Sequence, residues 1–168
     1  MLTVLLICTG NTCRSPMAAA LLEHILAQKM GAEAAGIKIE SAGLGANPGS
    51  RAALPAVEVM QEEGLDLTGH RARRVTREML QAADLILTMT PSQKELVLAL
   101  EPAAEKKTYS LGQLATLSGL EGSSEAALTV DDPFGQSLYV YRQVREQMRY
   151  LLRPIVEYIS QKASSSGD

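Results

Sequence analysis

The 168-residue sequence has no tryptophan, one phenylalanine, two cysteines, two histidines and no long apolar run. Each scarcity excludes something. The two cysteines, Cys8 and Cys13, stand five positions apart with no others, which argues against a disulfide scaffold and suits a reducing compartment. They also make a poor metal site, because His24 and His70 lack supporting ligand spacing. The apolar stretch over residues 2–8 is far too short to span a bilayer or to serve as a secretory signal. Net charge is −3, and apart from Arg71, Arg73 and Arg74 the basic residues are scattered. Binding of nucleic acid or a membrane through a basic face is therefore not expected. These features predict a cytoplasmic monomer without a metal or other cofactor.

What is present is sufficient for one ordinary domain. Hydrophobic residues make up 46% of the chain, enough to bury a core without staples. Residues 1–168 are read as a single domain whose last residues, 163–168, form a frayed tail.

The organising stretch is Cys8-Thr9-Gly10-Asn11-Thr12-Cys13-Arg14-Ser15, between an apolar run and Pro16, which opens a helical pattern. A strand that hands over to a helix through a Gly-containing loop leaves backbone N–H groups pointing at one spot, at the positive end of the helix dipole. That is a ready anion site. Five residues separate the thiol from the guanidinium, enough chain to wrap a phosphate-sized tetrahedral ion. Thr9, Gly10, Asn11, Thr12 and Cys13 would line it, Cys8 would sit beneath the phosphorus, and Arg14 would clamp two oxygens. N–H dipoles, a helix N-terminus and a nearby Arg favour the thiolate, which makes Cys8 an activated nucleophile. Ser15 could hydrogen-bond the sulfur, and Asn11 tolerates the left-handed conformation that a curling loop needs. The bland alternative is an ordinary strand-to-helix turn around a buried thiol.

The hydrophobic pattern alternates strands with helices. Strands are expected at 2–7, 37–40, 85–89 and, more weakly, 107–109. Helices are expected from Pro16 to near Gly31, over 50–63, from the cap Thr76 through Ala83, from Pro91 to about Leu100 and over 111–117. A long amphipathic helix from Leu138 should kink or break near Tyr150, because Pro154 interrupts it. Residues 118–130, rich in Ser, Gly and Glu, read as the least ordered loop. The implied fold is α/β, a four-stranded parallel sheet with helices on both faces. Ligands in such sheets bind beyond the carboxyl ends of the strands, at the switch in strand order.

A second stretch carries chemistry: Asp131-Asp132-Pro133-Phe134-Gly135. A thiolate that attacks phosphorus needs an acid to protonate the departing atom, and a carboxyl on a loop over the pocket can supply it. An Asp before Pro favours an extended conformation that projects its side chain. Phe134, in a polar loop, reads as a pocket wall; the other reading is a Pro-Gly turn with Phe tucked inward.

Together these motifs resemble the low-molecular-weight protein tyrosine phosphatase family, over essentially the whole chain. The resemblance implies a metal-independent protein phosphatase acting on phosphorylated proteins. It makes Cys8 the nucleophile that forms a phosphocysteine, Arg14 the transition-state clamp, and Asp132 the general acid and then the base that activates water. It also implies that Asn11, Ser15, Ser41 and His70 form a network holding the phosphate loop. Tyrosine-specific members usually carry a bulky aliphatic at the position of Thr12 and a second aromatic after the one matching Phe134. Thr12 and Gly135 make this chain more similar to the branch called protein-arginine phosphatases, found in Gram-positive bacteria. A Thr hydroxyl could hydrogen-bond guanidinium N–H groups or position the hydrolytic water, and Asp132 could pair with the same planar cation. A tyrosine phosphatase of the same fold remains the alternative. The thioredoxin-coupled arsenate reductases share a similar loop but relay oxidation through further cysteines that this chain lacks. A redox-sensing or phosphoprotein-binding module is a different class of reading. Asp132 argues against pure binding, whereas Cys13 could trap an oxidised Cys8 as a reversible disulfide.

Overall fold

β1 (Leu2–Cys8) lies inside the sheet, and its sequence shows why. Alternate residues of a strand face opposite sides. Leu2, Val4, Leu6 and Cys8 join one apolar cluster and Leu5 and Ile7 the other, so both faces of this strand are covered, as parallel sheets require. The computed structural model describes residues 1–166, and within them the sheet is fully parallel in the order β2-β1-β3-β4. β2 spans Ile37–Gly43, β3 Leu85–Thr88 and β4 Thr108–Ser110. β2 runs three residues beyond the expected strand because Ser41, Ala42 and Gly43 pair in register with Leu6, Ile7 and Cys8.

The chain leaves β1 toward β2 on one side and later returns across it to β3 on the other. The switch in strand order therefore falls at the carboxyl end of β1, where Cys8 sits. This is where such sheets leave a crevice.

The larger cluster packs under α1 (Arg14–Met30), α2 (Leu54–Gln61), α5 (Leu111–Leu117) and α7 (Leu138–Ser165), and the smaller one under α3 (Arg77–Ala82) and α4 (Pro91–Leu100). α1 ends at Gly31, whose φ of 57° is the left-handed value that glycine adopts without strain. Thr76, Thr90 and Ser110 cap the helices that follow them with their side-chain oxygens.

Three expectations change. α2 begins at Leu54 rather than residue 50; Leu54 precedes Pro55, and the backbone before it is committed elsewhere, with Ser50 O accepting from Ala72 N–H and Ala53 N–H donating to Thr12 O. The stretch over 118–130 holds a short helix, α6 (Glu125–Leu128), capped by Ser124. The final helix continues through Pro154 without a break and is helical to Ser165, into the stretch expected to form the tail; residues 167–168 of that tail lie outside the described residues. An interior proline costs about 3 kcal/mol. Leu151, Leu152, Ile155, Val156 and Ile159 are all buried around it, and at about 1.5–3 kcal/mol for each fully buried side chain their packing outweighs that cost.

Candidate active site

The loop after β1 is shaped from its outer side. Its carbonyls are taken by surrounding segments: Leu44 N–H donates to Cys8 O, Gly45 N–H to Thr9 O, Ala53 N–H to Thr12 O and Met17 N–H to Cys13 O, at 2.9–3.1 Å. His70 Nε2 donates to Asn11 O at 2.7 Å. With these carbonyls bonded from outside the loop, Asn11 N–H turns toward Cys8 Sγ at the start of α1, as in the concave loops that bind anions. Gly43 makes the close fit possible. A Cβ there would stand 2.6 Å from Thr9 O and 2.9 Å from Asn11 N.

Asn11 is the hub of the loop. It is fully buried, and its φ of 55° makes it the one described non-glycine residue in the left-handed region. Arg73 N–H, which can only donate, bonds Asn11 Oδ1 at 2.9 Å and so fixes which end of the amide carries the protons. Nδ2 must then donate to Ser15 Oγ (2.8 Å) and Ser41 Oγ (3.0 Å). Ser15 Oγ, already accepting, has its own proton free for Cys8 Sγ, 3.0 Å away. Asn11 N–H adds a second donor to the same sulfur at 3.2 Å. Two donors aimed at one sulfur suit it to carry negative charge. Burial, with positive Arg73 and Arg71 nearby, pushes His70 below its ordinary pKa of 6.5, although its bond to Asn11 O works the other way. The ring is therefore neutral at neutral pH, with its proton on Nε2 toward that carbonyl.

Cys8, Thr9, Gly10, Thr12, Cys13, Arg14, Asp132 and Phe134 line one cavity of about 210 Å³, the size of a phosphoryl group with part of its leaving group. Arg14 is buried, with Nη1 donating to Val130 O at 3.0 Å. Val130 N–H in turn donates to Met89 O, next to β3. Asp132 is held from both ends: its Oδ1 accepts from Phe134 N–H at 3.1 Å, and its Oδ2 lies 3.9 Å from Arg14 Nη2. That pair is long and half exposed, and contributes little to stability. Phe134 is 70% exposed at the rim, a wall rather than core. Cys13 Sγ faces Tyr141 OH at 3.3 Å, burial raises the pKa of both groups, and both cysteines are free thiols.

Of the residues singled out from the sequence, eight line this cavity. Asn11, expected on its wall, is instead fully buried one hydrogen bond behind it, at Cys8 Sγ, because its side chain is turned to Ser15, Ser41 and Arg73. Ser15 is likewise buried one bond behind, at Cys8 Sγ, and Ser41 and His70 stand one bond further back, on Asn11. Four contributors carry no sequence signal for this role. Gly43 is needed for its missing Cβ, Arg73 acts through its backbone, Val130 through its carbonyl, and Tyr141 lies on α7, 128 residues beyond Cys13.

Comparison with known proteins agrees with this geometry. The family model described as low molecular weight phosphotyrosine protein phosphatase matches residues 3–165. A protein-arginine-phosphatase of Geobacillus stearothermophilus is 36% identical over 154 residues, 92% of this chain and 93% of the relative. The low molecular weight protein-tyrosine-phosphatase Wzb of Escherichia coli K12 is 38% identical over 109 residues, 65% of this chain and 69% of that one. Among solved structures, a mutant YwlE arginine phosphatase with a phosphorylated active-site serine superposes with a TM-score of 0.81 at 33% identity, covering 95% of this chain and 96% of that one. With its loop, its sheet order and its cavity built on one plan, the chain belongs to the low-molecular-weight phosphotyrosine protein phosphatase family.

Proposed function

We propose that the protein is a protein-arginine phosphatase that works through a phosphocysteine, with residues 1–168 as one catalytic domain. The observation that carries the reading is a single cavity on which Cys8, Arg14, Thr12 and Asp132 converge. Cys8 Sγ attacks phosphorus in line, the P–N bond breaks, and Asp132 gives its proton to the departing guanidine nitrogen, which leaves as a guanidinium. Arg14 and the loop amides hold the charge on the phosphoryl oxygens. Water then attacks the phosphocysteine with Asp132 as base, the S–P bond breaks, and inorganic phosphate departs as the Cys8 thiolate is restored with the Ser15 hydroxyl donating to it. No metal is needed in either step.

Two features favour arginine over tyrosine. Thr12 presents a hydroxyl on the cavity wall, and a guanidinium has N–H donors to meet it where a phenyl ring has none. A polar group left unpaired costs about 1–3 kcal/mol, enough to tilt preference by an order of magnitude. A second aromatic after Phe134 is also missing: the next residue is Gly135, whose φ of 78° is a conformation that an aromatic side chain in its place would adopt only with strain. Similarity to named arginine phosphatases supports the reading. The bacterial sources of the relatives and the two free thiols support action on phosphorylated proteins in a bacterial cytoplasm; no described helix is long and apolar enough to cross a membrane. Turnover of phosphoarginine and phosphotyrosine peptides, measured side by side, tests the proposal. Wild type should prefer phosphoarginine and Thr12→Ile should shift the ratio toward phosphotyrosine; a wild-type preference for phosphotyrosine would overturn the arginine assignment.

A further inference from the structure

Gln93 is a polar side chain with only 4% of its surface exposed, and the chemistry above gives it no task. It stands in the first turn of α4, where its Oε1 accepts from Met89 N–H at 2.9 Å and from Thr90 N–H at 3.2 Å. Both partners can only donate, so Oε1 and Nε2 cannot be exchanged. Nε2 therefore donates, and its partner is Thr9 Oγ1 at 3.2 Å. A hydroxyl has one proton. With Thr9 Oγ1 accepting from Gln93, that proton is directed away from α4, and Thr9 is an exposed residue of the cavity wall. Among the described residues, no side chain or carbonyl accepts it.

We propose that Gln93 is a positioning residue which sets the Thr9 hydroxyl as a donor toward an acceptor oxygen of the substrate. The inference rests on the phosphatase reading and deepens it. A guanidinium N–H cannot satisfy such a donor; the acceptor is a phosphoryl oxygen or a main-chain carbonyl of the phosphorylated peptide.

The test uses the polarity of the side chain. Gln93→Glu keeps an oxygen for Met89 and Thr90 but replaces the Nε2 donor with an acceptor, so the Thr9 proton turns back toward α4. Thr9→Val removes the hydroxyl and Thr9→Ser keeps it. The readouts are KM and kcat on a phosphoarginine peptide and, independent of turnover, the affinity for inorganic phosphate by calorimetry. Thr9→Val should weaken binding about fivefold, the loss of one hydrogen bond, with kcat changed less, while Thr9→Ser stays near wild type. A weaker phosphate affinity assigns the acceptor to the phosphoryl group; a raised KM with unchanged phosphate affinity assigns it to the peptide. Gln93→Glu should weaken binding at least as much as Thr9→Val, and its effect should shrink in the Thr9→Val background. If Thr9→Val binds both probes like wild type, or if Gln93→Glu is equally harmful with and without the Thr9 hydroxyl, the inference fails and the added charge alone explains the loss. Absence of wild-type turnover on either phosphopeptide would instead strike the phosphatase reading.

Discussion

Asn11 offers a sharp quantitative test of how the phosphate loop is held. Asn11→Ala would strip Arg73 N–H of its acceptor and Ser15 and Ser41 of their donor. An amide left without its acceptor costs about 1–3 kcal/mol, least where it is only part-buried, and each lost hydrogen bond to a freely rotating hydroxyl about 0.5–1.5 kcal/mol. Alanine at a φ of 55° adds about 1–2 kcal/mol of left-handed strain. Together these ranges come to about 3–8 kcal/mol, and because the Arg73 amide is only part-buried the lower part applies, about 4 kcal/mol, against a total of about 5–15 kcal/mol for a domain. At this chain length 1 kcal/mol moves the melting point by about 2–4 °C, so Tm should fall by roughly 8–16 °C. Asn11→Gly removes the same amide without the strain, offset by about 0.4–1 kcal/mol for a freer unfolded chain. It should melt about 2–4 °C above the alanine variant. Both should lose most turnover, since the Ser15 hydroxyl is no longer oriented on Cys8. Thermal unfolding followed by circular dichroism, beside a turnover assay, reads all of this. An alanine variant within 1 kcal/mol of wild type by urea unfolding, or a glycine variant that melts no higher than alanine, would refute the account of Asn11.

The parts legible in the sequence were those made of contiguous residues with strong periodicity. β1 reads as a strand because both of its faces are apolar, and residues 8–15 read as an anion loop because thiol, glycine, asparagine and guanidinium fall within one turn of chain. The second half of β2 did not, since Ser41-Ala42-Gly43 has neither alternation nor bulk. It is a strand only through its register with β1. α6 has four residues, too short for a periodic signal. Pro154 misleads for the opposite reason: a local rule about an interior proline is overridden by apolar packing on both sides of it. Within the site, Ser41 and His70 could be assigned only through family resemblance, because nothing nearby in sequence announces a bond to residue 11. Arg73 offers a backbone N–H, which every residue but proline has. Gln93 has a readable local role, as the third helical residue in a capping box begun by Thr90, and that role conceals its reach to Thr9, 84 positions earlier.

Further expectations concern the loop's fit and its chemistry. Gly43→Ala places a methyl 2.6 Å from the Thr9 carbonyl; neither backbone can yield freely, so the variant should lose about 2 kcal/mol in urea unfolding and bind inorganic phosphate more weakly. Cys8→Ser should abolish turnover yet retain phosphate binding by calorimetry, and Asp132→Asn should slow turnover by about 10²–10⁴-fold, the usual worth of a positioned acid; full activity in either variant contradicts the assigned roles. The pH dependence of stability follows from His70. Its folded pKa lies below the ordinary 6.5, chiefly because burial disfavours the charged ring, so in the interval between the two values the unfolded chain holds a proton that the folded chain does not. Stability in that interval therefore rises with pH: the contribution is intact above 6.5 and is lost as pH falls through the folded value. His70→Gln, which keeps an N–H for the Asn11 carbonyl but cannot titrate, should lessen that acid loss in urea unfolding. If both proteins lose stability in parallel as pH falls below 6.5, the half-buried neutral ring at Asn11 is not what links proton uptake to unfolding.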